Sequence, residues 1–185
     1  MTSTTWRGYR PVNMGGGRPW AMMSPMRFRR ELAYEAAPDE VFAMLADPAF
    51  RERVAAAQDV VSIDVTITPQ GDGFTMVSDQ VQRTAGLPAI ARKIAGDTTQ
   101  AIIREEWSDP ASGTIEITAP GKPTKMVGTI RLTASGSGTS YVQELEVGVK
   151  VPLIAGKLEK IMADNIDEGL SVEHATGTAW LRGER

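Results

Sequence analysis

Three predicted strands each carry one polar side chain on a face that is otherwise apolar, and these are the residues most suited to chemistry. They are Arg30, Glu105 and Gln143. Their apolar companions are, in turn, Phe28, Leu32 and Tyr34; Ala101, Ile103 and Trp107; and Tyr141, Leu145 and Val147. Burying a carboxylate is costly unless it is paired, protonated or hydrated. We therefore expect Glu105 to lie near a rim or to meet Arg30 across the fold. The alternative is that the three groups line the wet end of a cavity and orient a polar ligand head.

The residue types that most often perform catalysis are scarce. His174 is the only histidine and cysteine is absent, which excludes thiolate nucleophiles and sites built from several histidines or cysteines. Residues 135–138 lack the strand-to-helix turn of a nucleophile elbow, and residues 15–17 lack the Lys-Ser/Thr of a phosphate loop. No clustered Asp spacing indicates an all-carboxylate metal site. We predict no metal and no cofactor, and we favour a binding protein over an enzyme.

The charge is distributed unevenly along the 185 residues, whose net charge is -3. Residues 1–30 contain arginines and no acidic residue, so the remainder is strongly acidic. An acidic body argues against nucleic-acid binding, which depends on neutralising phosphates. No apolar run approaches the roughly 18 residues of a membrane span, and no signal-peptide pattern is present. Because there is no cysteine, a cytoplasmic location is the default expectation.

Periodicity predicts the elements that would position these groups. Residues 141–151 alternate as a strand with one buried face, and Pro152 is preset for a first helical turn. Apolar residues then recur at spacings of three and four as far as Gly177, a typical helix end. Upstream, the patterns predict a first strand, two short helices opening at Pro38 and Pro48, and six antiparallel strands with an inserted helix at residues 87–96. This order predicts an α+β helix-grip fold, a curved antiparallel sheet of about seven strands around a long C-terminal helix.

Composition divides the chain into three regions. Residues 1–25 are rich in Gly, Pro, Ser, Thr and Arg and are predicted to be a disordered basic extension. The alternative is a basic arm for anionic lipid or RNA, with Trp6, Tyr9 and Trp20 as interfacial aromatics. Residues 26–180 are predicted to form the helix-grip domain, and residues 181–185 a flexible C-terminus.

Three segments carry a resemblance to a known family. They are residues 34–48 (YEAAPDEVFAMLADP), 105–107 (EEW) and 151–159 (VPLIAGKLE). Together with the order of elements, they resemble the START-like superfamily, also called the SRPBCC or polyketide cyclase and lipid-transport superfamily. Within it, the chain is similar to an uncharacterised actinobacterial family of unknown function. The resemblance covers about residues 26–180 and implies the fold. It does not fix the chemistry, because the superfamily hosts binding proteins, transporters, cyclases and cofactor chaperones.

The patterns and the resemblance together predict a hydrophobic cavity between the sheet and the C-terminal helix. Residues 87–94 would act as a lid, and Trp107 would border the cavity. Gly156 and Gly169 either permit close helix–sheet packing or leave space for a ligand. The residues predicted to bind the ligand are Ile63, Phe74, Met76, Ile103, Glu105, Trp107, Ile130, Tyr141, Gln143, Leu145, Ile154, Leu158 and Met162.

Three functions remain open from the sequence. The leading hypothesis is non-covalent binding, with transport or sequestration, of a hydrophobic lipid-like or polycyclic small molecule. The second is a cyclase, dehydratase or hydrolase acting on such a molecule, with Arg30, Glu105, Tyr141 or Gln143 positioning it. The third is a regulatory interaction module whose cavity is vestigial and filled. We expect a monomer or homodimer that makes at most transient contact with a membrane.

Overall fold

Seven strands and four helices make up residues 25–184, the part of the chain that the computed structural model describes. The predicted basic extension, residues 1–25, lies outside this range apart from Pro25. The strands are β1 (Met26–Tyr34), β2 (Ser62–Gln70), β3 (Gly73–Arg83), β4 (Thr98–Asp109), β5 (Ser112–Thr118), β6 (Thr124–Ser135) and β7 (Gly138–Val149). The helices are α1 (Pro38–Leu45), α2 (Pro48–Ala57), α3 (Ala89–Ala95) and α4 (Ala155–Leu181).

The strands form one antiparallel sheet in the order β1-β7-β6-β5-β4-β3-β2. Strands β2 to β7 pair with their neighbours along the chain, as short connections favour. The first strand joins the last, with Met26 opposite Val147 and Tyr34 opposite Thr139. Helix α4 packs on β7 and β1 and also contacts α1 and α2. The predicted helix-grip fold is confirmed.

The two short helices begin where proline predicts. Pro38 and Pro48 each open a helix, where the missing N–H removes no intrahelical hydrogen bond. Asp47 caps α2, because its Oδ1 accepts a hydrogen bond from the backbone N–H of Ala49 at 2.9 Å. These starts fix the rotation of α2, so that Arg51 is buried on its inner side.

The start of α4 differs from the prediction that Pro152 opens the helix. The helix begins at Ala155, because Leu153 has a φ of 67°, a left-handed conformation that a helix cannot contain. The Leu153 side chain is fully exposed. A hydrogen bond from the Val149 N–H to Oε1 of Glu159, at 3.1 Å, joins the end of β7 to the first turns of α4.

The predicted end of α4 at Gly177 was also wrong, because the helix continues to Leu181. A Cβ atom at position 177 would lie 3.0 Å from Cε1 of Tyr34 and 3.1 Å from Cε of Met44. Glycine is therefore needed for close packing of α4 against β1 and α1, not for a helix end. Within residues 25–184, none of the helices combines the length and apolarity that crossing a bilayer requires.

The apolar core lies between the inner face of the sheet and helices α1, α2 and α4. Its largest fully buried apolar side chains are Phe50, Leu45, Met76, Ile130, Val41 and Val147. A smaller cluster of Ala91, Val149 and Leu158 joins α3 to the end of the sheet and to α4. Residues of both clusters line one internal cavity, so the packing is solid at one end of the fold and open at the other.

Candidate functional site

A cavity of about 320 Å³ lies between α4 and the inner face of the sheet. Strands β3 to β7 form its floor, and α4 covers it between Leu158 and Glu173. Helix α2 borders it near Arg51, and α3 borders it at the far end. The volume falls within the range of roughly 300–1,000 Å³ that small-molecule sites occupy. The helix–sheet cavity predicted from the sequence is therefore present.

Six of the thirteen residues predicted to bind a ligand line this cavity. They are Met76, Ile103, Glu105, Gln143, Leu158 and Met162. The structure places the other seven outside the lining: Ile63, Phe74, Trp107, Ile130, Tyr141, Leu145 and Ile154. Most of the seven belong to the solid part of the core, whereas Ile63 is half-buried on the edge strand β2 and Ile154 precedes α4. For the six residues that line the cavity, a role in ligand binding stays a prediction.

Trp107 was predicted to border the cavity, but it lies outside the lining and contacts one of the lining residues. Its ring packs against Phe42 and Phe74, with ring centroids 5.6 and 5.7 Å away. Its Nε1 donates a hydrogen bond to Oε2 of Glu105 at 2.9 Å. The indole therefore fixes the position of a carboxylate that does line the cavity.

Glu105 forms a buried ion pair with Arg51. Nη2 of Arg51 donates to Oε2 of Glu105 at 2.8 Å, and the two side chains are only 8% and 5% exposed. Nε of Arg51 donates to the carbonyl oxygen of Leu45, also at 2.8 Å. Desolvation opposes the charge on Arg51, but the nearby carboxylates, Glu105 first, outweigh it and raise the pKa of Arg51. The guanidinium is therefore charged, and its charge is matched by that of Glu105.

Of the two arrangements expected for Glu105, neither occurs, because it is buried away from a rim and Arg30 does not pair with it. Arg30 reaches along α4 instead, where Nη1 lies 3.2 Å from Oδ1 of Asp167 and Nη2 donates to Oγ of Ser171 at 3.4 Å. His174 makes a further contact between α4 and β1, with Nε2 2.7 Å from the carbonyl oxygen of Ala33. These residues attach the helix to the first strand and do not line the cavity.

Glu173 is the second carboxylate of the cavity, and it projects from α4 beside the Arg51–Glu105 pair. Its side chain is half-buried and lines the cavity. Among residues 25–184 it has no hydrogen-bond or ion-pair partner. Desolvation raises the pKa of Glu173; the positive charge of Arg51 opposes this rise and the negative charge of Glu105 adds to it. Glu173 is thus a carboxyl group that protonates more readily than an ordinary one.

A tyrosine and a glutamine complete this polar end. The hydroxyl group of Tyr141 donates to Oε1 of Gln143 at 2.8 Å. Burial first, and then the negative charges of Glu173 and Glu105, raise the pKa of Tyr141 well above its ordinary value. The phenol therefore stays protonated and keeps donating. Gln143 lines the cavity with its amide oriented by this bond.

One wall of the cavity carries a polar stripe along β3. Nε2 of Gln82 donates to Oε1 of Gln80 at 3.0 Å, and Nε2 of Gln80 donates to Oγ of Ser78 at 2.9 Å. All three side chains line the cavity, as does Thr124, whose buried Oγ1 has no hydrogen-bond partner among the described residues. A ligand would therefore meet polar groups along this edge as well as at the charged end, and mainly apolar groups elsewhere.

Helix α3 covers the far end of the cavity, at the segment predicted to be a lid. The hydroxyl of Thr84 donates to the carbonyl oxygen of Gly96, which ties the two ends of the segment together. Nζ of Lys122 donates to the carbonyl oxygen of Ile94 at 2.9 Å and so attaches α3 to the loop between β5 and β6. Leu87 and Ala91 face the cavity from this segment. Its motion as a lid stays a prediction.

The two glycines of α4 that were expected either to permit close packing or to leave space for a ligand have different surroundings. Gly156 is exposed, and a Cβ atom there would meet nothing within 4 Å, so it leaves no gap for a ligand. Gly169 does line the cavity, and its carbonyl oxygen accepts a hydrogen bond from Nε2 of Gln58 at 2.9 Å. A Cβ atom at position 169 would lie 3.4 Å from that nitrogen. Gly169 therefore lies where α4 contacts the end of α2, at an ordinary van der Waals distance.

The sequence interpretation missed Arg51 and Glu173, although both lie in apolar helical stripes. Arg51 follows Phe50 and precedes Val54 on the buried side of α2. Glu173 lies three residues after Leu170 and four before Gly177, at the spacing of the buried side of α4. A charged residue at such a position is the pattern that could have revealed both groups.

The fold has counterparts among solved structures. TTHA0849 from Thermus thermophilus matches with a TM-score of 0.60 at 21% identity, over 83% of this chain and 98% of that one. A START superfamily protein from Mycobacterium smegmatis matches with a TM-score of 0.53 at 13% identity, over 80% and 94%. The di-domain ARO/CYC StfQ from the steffimycin biosynthetic pathway matches with a TM-score of 0.59 at 12% identity, over 87% and 52%. The chain therefore has the START-like fold.

Within that fold class, the family is defined by sequence. The model of the DUF2505 family, whose description is "Protein of unknown function", matches residues 30–181. The chain belongs to this family. No curated protein has significant sequence similarity to it. The matched range runs from β1 to the end of α4 and so includes every wall of the cavity.

Proposed function

We propose that the protein binds a hydrophobic, lipid-like or polycyclic small molecule in the cavity between the sheet and α4, and that it carries or sequesters this molecule. The observation on which the proposal rests is a cavity of about 320 Å³ that is mainly apolar and has a charged end. An apolar cavity of about 150 Å³ holds one benzene ring. The ligand is therefore expected to be a small polycyclic molecule, or a folded chain of similar bulk.

The apolar surface that a ligand would bury gives the expected order of magnitude of its affinity. A ligand of this size removes about 300 Å² of apolar surface from water, which contributes about 7 kcal/mol at roughly 25 cal/mol per Å². Immobilising the ligand offsets part of this gain. Dissociation constants of roughly 10 μM to 1 mM are expected for a ligand that uses the apolar walls alone. Hydrogen bonds to the polar end would tighten binding further.

The structural neighbours support a small-molecule site without identifying the ligand. They include a START superfamily protein and an ARO/CYC of a biosynthetic pathway, at identities that establish the fold alone. One scaffold carries several functions in this fold class, so the proposal rests on the cavity of this chain and its polar end.

Titration with Nile red, a neutral dye that fluoresces in apolar surroundings, tests the proposal. The wild-type protein should give saturable binding. Ala101→Phe places a ring in the cavity and should weaken binding about tenfold or more, which corresponds to about 1.4 kcal/mol. Gly156→Leu adds similar bulk to the exposed side of α4 and is the matched control. Absence of saturable binding, or equal binding by Ala101→Phe and the wild type, would contradict the proposal.

A second candidate function is an enzyme of the cyclase, dehydratase or hydrolase type. The observation that favours it is Glu173, a desolvated carboxyl group with a raised pKa beside the charged pair of Arg51 and Glu105. Such a group suits general acid–base catalysis. Native mass spectrometry of protein purified from its own host would identify a bound molecule. An enzyme must then convert that molecule, and Glu173→Gln must abolish turnover while affinity survives.

A further inference from the structure

We propose that the polar end of the cavity selects a ligand head that donates hydrogen bonds, a neutral hydroxyl or a protonated amine, and rejects a carboxylate. This inference rests on the proposed binding function and adds the chemical class of the ligand head. Its basis is the composition of that end: the carboxylates of Glu105 and Glu173 line the cavity beside a single guanidinium, that of Arg51. The three groups are close enough to influence one another electrostatically.

The guanidinium of Arg51 is already engaged by the protein. Nε donates to the Leu45 carbonyl oxygen and Nη2 donates to Glu105, so neither parallel pair of N–H groups is free to hold a ligand carboxylate in a bidentate contact. Oε2 of Glu105 accepts from both Arg51 and Trp107. The arginine therefore acts first as a partner for Glu105, and what remains for a ligand anion is a single-point contact through Nη1.

Glu173, by contrast, has unused hydrogen-bonding capacity that faces the cavity. Its carboxylate accepts no hydrogen bond from the described part of the chain, although a carboxylate offers about four acceptor sites. A ligand hydroxyl or ammonium group supplies the donor that the protein does not. The high pKa of Glu173 agrees with this arrangement, because an unpaired and desolvated carboxyl group takes up a proton until a cationic partner arrives.

Charge balance gives the order of preference among heads. With an ammonium head, two positive and two negative charges meet at this end of the cavity. With a hydroxyl head, the charges of Arg51 and Glu105 remain balanced and Glu173 has a partner. A carboxylate head would add a negative charge beside that of Glu105 and could be held only while Glu173 keeps its proton, because like charges repel strongly in a desolvated site. Fatty acids should therefore bind less tightly than the matching alcohols or amines.

The other charged groups that line the cavity lie toward α3 and are also occupied. Nε of Arg83 lies 3.7 Å from Oδ2 of Asp59, and Nζ of Lys122 donates to the Ile94 carbonyl oxygen. An anionic head could meet these cations only by entering in the opposite orientation, away from Glu173. Binding in that orientation would be insensitive to a change at Glu173, so a variant of this residue separates the two arrangements.

Competition against Nile red tests the inference with three ligands of one chain length: decanol, decylamine and decanoic acid. At about pH 7.5, where the amine is protonated and the acid is ionised, decanol and decylamine should displace the dye from the wild-type protein at about tenfold lower concentrations than decanoic acid. All three are used below their micelle-forming concentrations. Equal or better displacement by decanoic acid would overturn the inference.

Two variants of α4 test whether Glu173 is the residue that causes the preference among ligand heads. Glu173→Gln removes the charge and should bring decylamine and decanoic acid to within about threefold of each other, a difference of less than 1 kcal/mol. Glu168→Gln, at an exposed position of the same helix, should keep the wild-type order. An unchanged order in Glu173→Gln would overturn the inference and leave the binding function standing. Failure of the wild-type protein to bind Nile red would instead overturn the proposed function itself. Thermal unfolding of each variant shows that it is folded.

Discussion

Arg51 and Glu105 are 54 residues apart in the chain, yet Nη2 of the first donates to Oε2 of the second at 2.8 Å within the buried interior. The contact joins α2 to the centre of the sheet, because Glu105 lies on β4 between Met76 of β3 and Ile115 of β5. It also forms part of the polar end of the cavity. One pair of side chains thus connects the stability of the fold with the chemistry of the candidate site.

Removal of the positive partner should destabilise the protein strongly. Arg51→Met keeps much of the aliphatic bulk but leaves Glu105 buried without its ion pair, and it should lower the free energy of unfolding by about 3–5 kcal/mol. Urea denaturation followed by circular dichroism measures this loss. Arg53→Met, at an exposed position of α2, is the matched control and should change stability by no more than about 0.5 kcal/mol. A loss below about 1 kcal/mol for Arg51→Met would contradict the account.

The double variant Arg51→Met/Glu105→Leu separates the value of the pair from the cost of an unpaired charge. Because it removes both charges, it should be clearly more stable than Arg51→Met alone. Its stability should stay below that of the wild type by about 1 kcal/mol, since Nε1 of Trp107 loses its acceptor. A double variant as unstable as Arg51→Met would show that packing, not charge, dominates at this position.

Glu173→Gln should be more stable than the wild type, and this difference should be larger at neutral pH than at acid pH. The pKa of Glu173 is raised in the folded state, so the native protein holds this proton more tightly than the unfolded chain. Stability from this group is therefore present at low pH and is lost as the pH rises through its folded pKa. Glutamine removes that loss. The groups facing the carboxyl are Arg51 of α2, Glu105 of β4, Tyr34 of β1 and Tyr141 of β7.

Thermal unfolding between about pH 4 and pH 8 measures this effect. The Tm of Glu173→Gln should exceed that of the wild type by about 2–4 °C at pH 8, a shift that corresponds to about 1 kcal/mol. The difference should shrink toward pH 4. Glu168→Gln should show no such trend, because its side chain is exposed. A Tm difference that is independent of pH, or a lower Tm at pH 8, would contradict the raised pKa.

Two glycines of α4 should respond in opposite ways to alanine. Gly177→Ala introduces a Cβ atom 3.0 Å from Tyr34 and 3.1 Å from Met44, an overpacking that costs about 1–3 kcal/mol against a helix-propensity gain of about 1 kcal/mol. The net result should be a loss of about 1 kcal/mol. Gly156→Ala meets no neighbour and should gain up to about 0.5 kcal/mol. Urea denaturation compares the two, and equal effects would contradict the packing role of Gly177.

The sequence was sufficient to predict the fold because the alternation of the strands and the stripe of α4 are local patterns. The start of α4 was predicted wrongly because Pro152 fits a first helical turn, whereas the left-handed conformation of Leu153 has no marker in the residue type. Gly177 was predicted to end the helix because glycine is common at helix ends. Glycine also occurs where two elements pack closely, which is its role here. Only the packing of α4 on β1 distinguishes these roles.

The site was harder to predict than the fold because its position depends on tertiary contacts. Ile130 and Ile103 both carry the inward pattern of a strand, but Ile130 is fully buried in the solid part of the core, whereas Ile103 lines the cavity. The partner of Glu105 was misassigned because strand patterns do not show which helix faces a given strand. Arg51 and Glu173 were visible as charges in apolar stripes, and giving such charges more weight would have found both.

The most direct test of ligand binding in the cavity is an amide proton–nitrogen NMR titration of the wild-type protein with decanol. We predict saturable shifts that share one dissociation constant and cluster at the cavity walls, with Ala101, Met162 and Glu173 among the affected residues. Val127, on the outer face of β6, should stay unchanged. Shifts confined to the outer face of the sheet, or shifts that never saturate, would contradict the account.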